Sequence, residues 1–166
     1  MTTITRTDPP TTGDERAVLG GFVDYLRATV HTKCEGLSDE LARRAPLPSP
    51  LTTAAGIVLH LRWVEHYWFE FVLAGRPNRV PWTEADLDAD WRVGGETTLE
   101  RLLTDYAAQC AVSREIAAGL DLDHEVGFRG GTVSVRWVLA HMVEETARHA
   151  GHLDVVRELL DGVTGE

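Results

Sequence analysis

His141-Met142-Val143-Glu144-Glu145-Thr146-Ala147-Arg148-His149-Ala150-Gly151-His152 is the stretch whose reading decides the fold. As a helix, turning about 100° per residue, it gathers His141, Glu145, His149 and His152 into an arc of roughly 80°. Such polar side chains at a packed face need hydrogen bonds or a cation, because buried polar groups without partners are costly. Glu145 and His149 lie four residues apart, the spacing that puts two ligands on adjacent turns. From these residues alone two readings stay open: a metal-binding face, or a solvated face rich in histidine.

Working outward, the helix begins at Val133 or Ser134 and runs to about Asp161, with Gly162 as its stop; Trp137, Val138, Val143, Leu153, Val156 and Leu160 are its packing residues. Residues 121–132 (DLDHEVGFRGGT) read as a turn with brief extended structure, and His124 as a solvated loop histidine. Before it, Thr98 opens a helix to about Leu120, packed through Leu99, Leu102, Leu103, Tyr106, Val112 and Ile116. Residues 76–97 form a long polar excursion with Trp82, Trp91 and Gly94-Gly95 that covers one end of the domain or simply wraps its surface.

Further back, Thr52 or Thr53 caps a helix extending to about Leu73, with Gly75 and Pro77 beyond it. Its inner stripe is Ile57, His60, Val64, Tyr67 and Phe71, which sets Arg62, Glu65, His66 and Glu70 mostly on the other side. Pro46, Pro48 and Pro50 bar helix ahead of it, and Leu37–Leu41 suits one short helix. The first long helix runs from Asp14 to about His31 through Val18, Leu19, Phe22, Leu26 and Val30, preceded by a loose Thr/Pro-rich tail, residues 1–13. Four amphipathic segments with almost no strand pattern predict an all-α, four-helix-bundle domain over residues 14–166.

Composition narrows the function. A chain of 166 residues, 43% hydrophobic, suffices for one core. A net charge of −10 argues against nucleic-acid backbones and anionic membranes as partners. Neither a secretory leader nor a membrane-spanning run is evident. Cys34 and Cys110 lack a framework spacing and read as free thiols, placing the protein in the cytoplasm. Neither thiol has the electropositive surroundings a nucleophile needs.

The chemistry then rests on histidine and glutamate. His60 lies mid-stripe on the second long helix, so a bundle can bring it to Glu145 and His149 of the last one. Two imidazoles and one carboxylate suit a divalent ion, with zinc first and Ni, Mn or Fe as alternatives. Three protein ligands would leave a position for water or substrate. His152 could be a fourth ligand, a base beside the substrate, or a hydrogen-bond partner of a ligand; His141 fits the last role. Arg148 either meets a substrate carboxylate or stays on the surface. No helix carries the Glu-x-x-His motif that a di-iron bundle repeats.

LHLRWVEHYWFEFVLAG (residues 59–75) followed by HMVEETARHAGHLDVVRELLDG (residues 141–162) resembles the DinB/YfiT-like superfamily of bacterial metalloproteins. The likeness runs from about residue 14 to 162. It implies an up-down-down-up four-helix bundle, a homodimer in many members, and His60, Glu145 and His149 as metal ligands. Many members have histidine where this chain has Glu145; glutamate there resembles the mycothiol-dependent maleylpyruvate isomerase branch. The His-Arg-Gly-Gln that follows the last ligand in some members is matched here only by Ala150-Gly151-His152. By resemblance, then, the chain is a metal-dependent S-transferase or isomerase using a low-molecular-weight thiol on a small-molecule electrophile, with His152 moving a proton. A divalent metal deprotonates a coordinating thiol, giving a nucleophile at neutral pH. Mycothiol is the expected thiol: Lys33 is the only lysine among 16 basic residues, a skew typical of G+C-rich bacterial genomes. A hydrolase using the same ligands on water and a non-catalytic metal-binding stress protein are the alternatives.

Overall fold

The computed structural model describes residues 4–164. It is mostly helical: α1 (Glu15–Cys34), α2 (Asp39–Arg43), α3 (Ala54–Glu65), α4 (Leu99–Ala118) and α5 (Val135–Asp161), with a small hairpin of β1 (Glu125–Phe128) and β2 (Gly131–Ser134). The helix starts follow hydroxyl and carboxylate caps. Asp14, Ser38, Thr53, Thr98 and Ser134 each accept a backbone N–H from three residues on, satisfying a donor the first turn would otherwise leave free. Gly162 ends α5 at φ +76°, in the left-handed region a side chain disfavours.

Helix α1 packs chiefly on α5, and α3 on α4 and α5. One core cluster centres on Ile57, Leu61, Tyr106 and Leu153, the other on Val23, Phe69, Val138 and Met142. Burying each such large side chain contributes roughly 1.5–3 kcal/mol. No helix of the described residues is long and apolar enough to cross a membrane.

Several sequence expectations shift here. Helix α3 does not continue as a regular helix: His66–Leu73 forms wide π turns, with the Ala74 N–H donating to the Phe69 carbonyl five residues back. The buried positions therefore step from Val64 to Phe69 and from Trp68 to Leu73, while Phe71, expected inside, is exposed. Glu65 and His66, expected outside, are buried. Glu65 faces Arg27 of α1, whose Nε and Nη2 donate to its two carboxylate oxygens, each at 2.7 Å. That pair also explains α1, whose buried side is Val23, Arg27 and Val30, leaving Phe22 exposed. On α4 the buried line continues through Gln109, Cys110, Ser113 and Ala117, with Val112 and Ile116 only half-buried beside it. Trp137 of α5 is likewise largely exposed.

The turn with brief extended structure expected over residues 121–132 is a hairpin that runs on to Ser134, an antiparallel pair with Val126 opposite Val133 and Phe128 opposite Gly131. Arg129 and Gly130 both have positive φ, the demand of a two-residue hairpin turn matched to strand twist. Of the expected N-terminal tail, residues 1–3 lie outside the described residues; Pro9 and Pro10 rest against Gly21 of α1.

Candidate metal centre

Helices α3 and α5 bring His60, Glu145 and His149 together, their ligand-capable atoms all within 4.8 Å of one another. His60 Nε2 lies 3.2 Å and His149 Nε2 3.3 Å from the same oxygen, Oε1 of Glu145. Two ligands about 2 Å from one tetrahedral ion would be about 3.3 Å apart; each histidine meets that spacing to Glu145, and the two imidazoles would draw together around a small divalent ion.

The polar partners around this group fit a cation as well. Asp90 Oδ2 is 2.6 Å from His60 Nδ1. A neutral imidazole has one N–H; given to Asp90, it leaves the Nε2 lone pair facing a carboxylate oxygen. Two carboxylates on one ring therefore call for positive charge, supplied by a second ring proton or by a metal ion at Nε2. In the metal-free protein burial opposes that charge, yet the hydrogen bonds to Asp90 and Glu145 outweigh it and raise the His60 pKa. Glu145 is held well below the usual carboxylate range by His149 and then His60, against the opposing effect of burial. Asp90 would keep His60 oriented with Nε2 forward, as carboxylates do behind metal-bound histidines.

Asp90 was not legible as a site residue. It comes from the 76–97 excursion, on the one-turn helix Ala89–Trp91, and is almost fully buried. The next residue, Trp91, stacks on the His60 ring with centroids 4.2 Å apart and planes 17° apart. The excursion thus reaches the centre rather than merely wrapping a surface. A tryptophan beside an aspartate in a polar stretch was the only hint, and no periodicity ties such a stretch to a helix face.

The cavity beside the centre has a volume of about 270 Å³, with His60, Asp90 and Glu145 on its wall. A family model described as Mycothiol-S-transferase matches residues 18–162. The chain belongs to the mycothiol S-transferase family. This is a DinB/YfiT-like family, in keeping with the resemblance carried by residues 59–75 and 141–162. A conserved protein from Enterococcus faecalis, known from its crystal structure, is similar in fold, with a TM-score of 0.67 at 13% identity over 92% of this chain and 100% of that one. No curated protein matches the chain.

The remaining candidates of this mycothiol S-transferase family member fall at different distances from the centre. His152 Nδ1 lies 3.5 Å from His149 Nδ1, whereas His149 turns its Nε2 to Glu145. It is exposed, absent from the cavity wall, and its pKa is lowered by burial and by His149 and Arg148. His141 does line the cavity, stacked on Trp137 and edge-on to Trp68, with Glu144 rather than Glu145 nearest its Nδ1, at 3.7 Å. Arg148 pairs with Glu144 on the surface. Cys34 and Cys110 are buried free thiols. Burial pushes Cys34 up to about 12 and Cys110 higher still, so neither supplies a thiolate near neutral pH.

Proposed function

We propose that this chain transfers a low-molecular-weight thiol of the mycothiol type to a small electrophile, using a divalent ion held by His60, Glu145 and His149. The observation that carries the reading is the convergence of these three side chains beside a cavity, in a chain of the mycothiol S-transferase family. A divalent ion bound there would lower the pKa of a coordinated thiol enough to make it a nucleophile at neutral pH. Two nitrogens and one oxygen favour zinc.

The chain's own residues have separable tasks. Asp90 and Trp91 fix the His60 ring, and His152, 3.5 Å from His149 on its Nδ1 side, supports that ring and moves a proton. The cavity wall admits the electrophile and excludes water from the reacting sulfur. In the transfer the sulfur–carbon bond forms, the bond to the leaving group breaks with its electron pair, and the thiol proton passes to solvent. For an isomerisation the thiol would instead add and depart. We place the protein in the cytoplasm as an up-down-down-up four-helix bundle, one domain from residue 14, acting on small molecules and pairing as a homodimer.

Thiol consumption tests this reading, followed with mycothiol and a panel of electrophiles in metal-loaded wild type and His149→Ala. The expected result is thiol-dependent turnover by wild type and loss of both metal and turnover in the variant. Turnover without thiol would assign the site to hydrolysis, and full turnover by metal-free protein would overturn the metal-dependent scheme.

A further inference from the structure

Beyond the metal centre, the cavity is built from side chains that no ligand role explains. Val64, Tyr67, Trp68, Trp82, Leu87 and His141 line it together with Trp91 and the residues of the centre. Their rings form a connected set: Tyr67 is 5.3 Å from Trp68 and 5.7 Å from Trp82, and Trp68 is 4.9 Å from His141. The π turns put both Tyr67 and Trp68 on this wall, and the excursion adds Trp82 and Leu87 from the other direction. Edges and faces of such rings receive another aromatic ring well, in offset or T-shaped contact.

Charge is distributed just as selectively. No lysine or arginine lines the cavity. Three of the arginines on nearby segments are engaged with carboxylates, Arg92 with Asp86, Arg148 with Glu144 and Arg76 with Glu70, while Arg79 of the excursion is exposed and does not line the cavity. At the centre, the two positive charges of a divalent ion would be matched by Glu145 and Asp90, and a bound thiolate adds one negative charge. An anionic second substrate would therefore meet apolar rings on one side and net negative charge on the other. Burying a carboxylate there without a partner is costly. The cavity opens to solvent and measures about 270 Å³, room for at least one ring, since an enclosed apolar cavity of about 150 Å³ accommodates one benzene.

We infer that the electrophile is a neutral, apolar aromatic molecule of one or two rings, and that electrophiles bearing a carboxylate are refused. The inference rests on the thiol-transfer reading of the same site and adds its substrate class. Val64, Tyr67, Trp68 and Trp82 are the residues that set it. The reacting carbon carries a leaving group such as halide, which departs with the bonding pair as sulfur bonds, so no oxidant or reductant enters.

The test is binding rather than turnover. Methyl 4-nitrobenzoate and 4-nitrobenzoate share a ring and differ in charge, and both quench tryptophan fluorescence. Each is titrated into metal-loaded protein in saturating 2-mercaptoethanol, whose thiolate would fill the open metal position that a carboxylate could otherwise take. Saturable quenching by the ester is expected with a dissociation constant at least tenfold below that of the acid. Trp82→Ala should weaken the ester at least fivefold. Leu87→Arg places a cation on the wall at a residue already 71% exposed, and should narrow the gap between the two probes to threefold or less. Equal or tighter binding of the acid by wild type, or an unchanged ester affinity in Trp82→Ala, would overturn the inference. Because the readout is binding and neither probe carries a leaving group, a failure of thiol transfer to any electrophile would leave these affinities unmoved, so the two failures are told apart.

Discussion

Glu65 and Glu145 are two interior carboxylates in one small protein, and their surroundings differ in kind. Glu65 meets a single guanidinium that uses two N–H groups on two oxygens, both at 2.7 Å, in the fully buried contact between α1 and α3. That pairing is complete, and no further group is needed. Glu145 presents one oxygen to two imidazoles, one of which already faces a second carboxylate, and the group borders a cavity. The lesson is that burial of charge alone does not mark a functional site. A matched pair with parallel hydrogen bonds is structural, whereas donor atoms converging on a common point, with their remaining valences held from behind, suit an incoming ion.

The sharpest way to break this comparison is to remove one partner of each group. Arg27→Ala or Glu65→Ala should cost about 3–5 kcal/mol, because a buried charge is left alone. Glu145→Ala should cost metal-free protein far less. Urea unfolding of the three variants checks this, and equal losses would erase the distinction.

A second test acts through backbone contact. A Cβ on Gly56 would meet the carbonyl oxygens of Leu51 at 2.9 Å and Trp91 at 3.0 Å. Gly56→Ala should therefore cost about 1–3 kcal/mol and displace the turn carrying Asp90 and Trp91, weakening metal binding as well. Unchanged stability and metal affinity would mean that this close approach does not position the turn. Asp90→Asn isolates the polar component: metal affinity should fall about 10–100-fold in a chelator competition, while the helical circular dichroism stays as in wild type.

The smallest effect concerns an interior group with neither kind of partner. His31 stacks near Tyr106, and burial, aided by Arg114, lowers its pKa to about 4 from 6.5. Between those values the unfolded chain binds a proton that the folded chain refuses. Stability is thus full above about pH 6.5 and declines as the pH falls toward 4. His31→Phe keeps the stacking and should flatten that part of the stability profile in thermal unfolding; an unchanged slope would assign the loss to other groups.

How much of this was legible in the sequence follows the physics of each element. The four long helical segments and their caps could be read because apolar period and capping chemistry are local. The approach of His60 to Glu145 and His149 followed from helix faces together with the family resemblance. A glutamate beside an apolar stripe reads as an outward residue, and only the distant Arg27 makes Glu65 an interior one. Phe71 and Trp68 exchanged places because π turns advance the chain five residues per contact, a change invisible to a constant 3.6-residue period. Asp90 stayed hidden for a third reason: an irregular segment has no periodicity from which its direction can be read.

Elemental analysis of the protein purified without chelator or affinity tag tests the central claim most directly, with His60→Ala and Glu145→Ala measured beside wild type. The account predicts about one divalent ion per chain in wild type and its loss in both folded variants. Folded wild type without a divalent ion, and unable to take one up from solution, would contradict it.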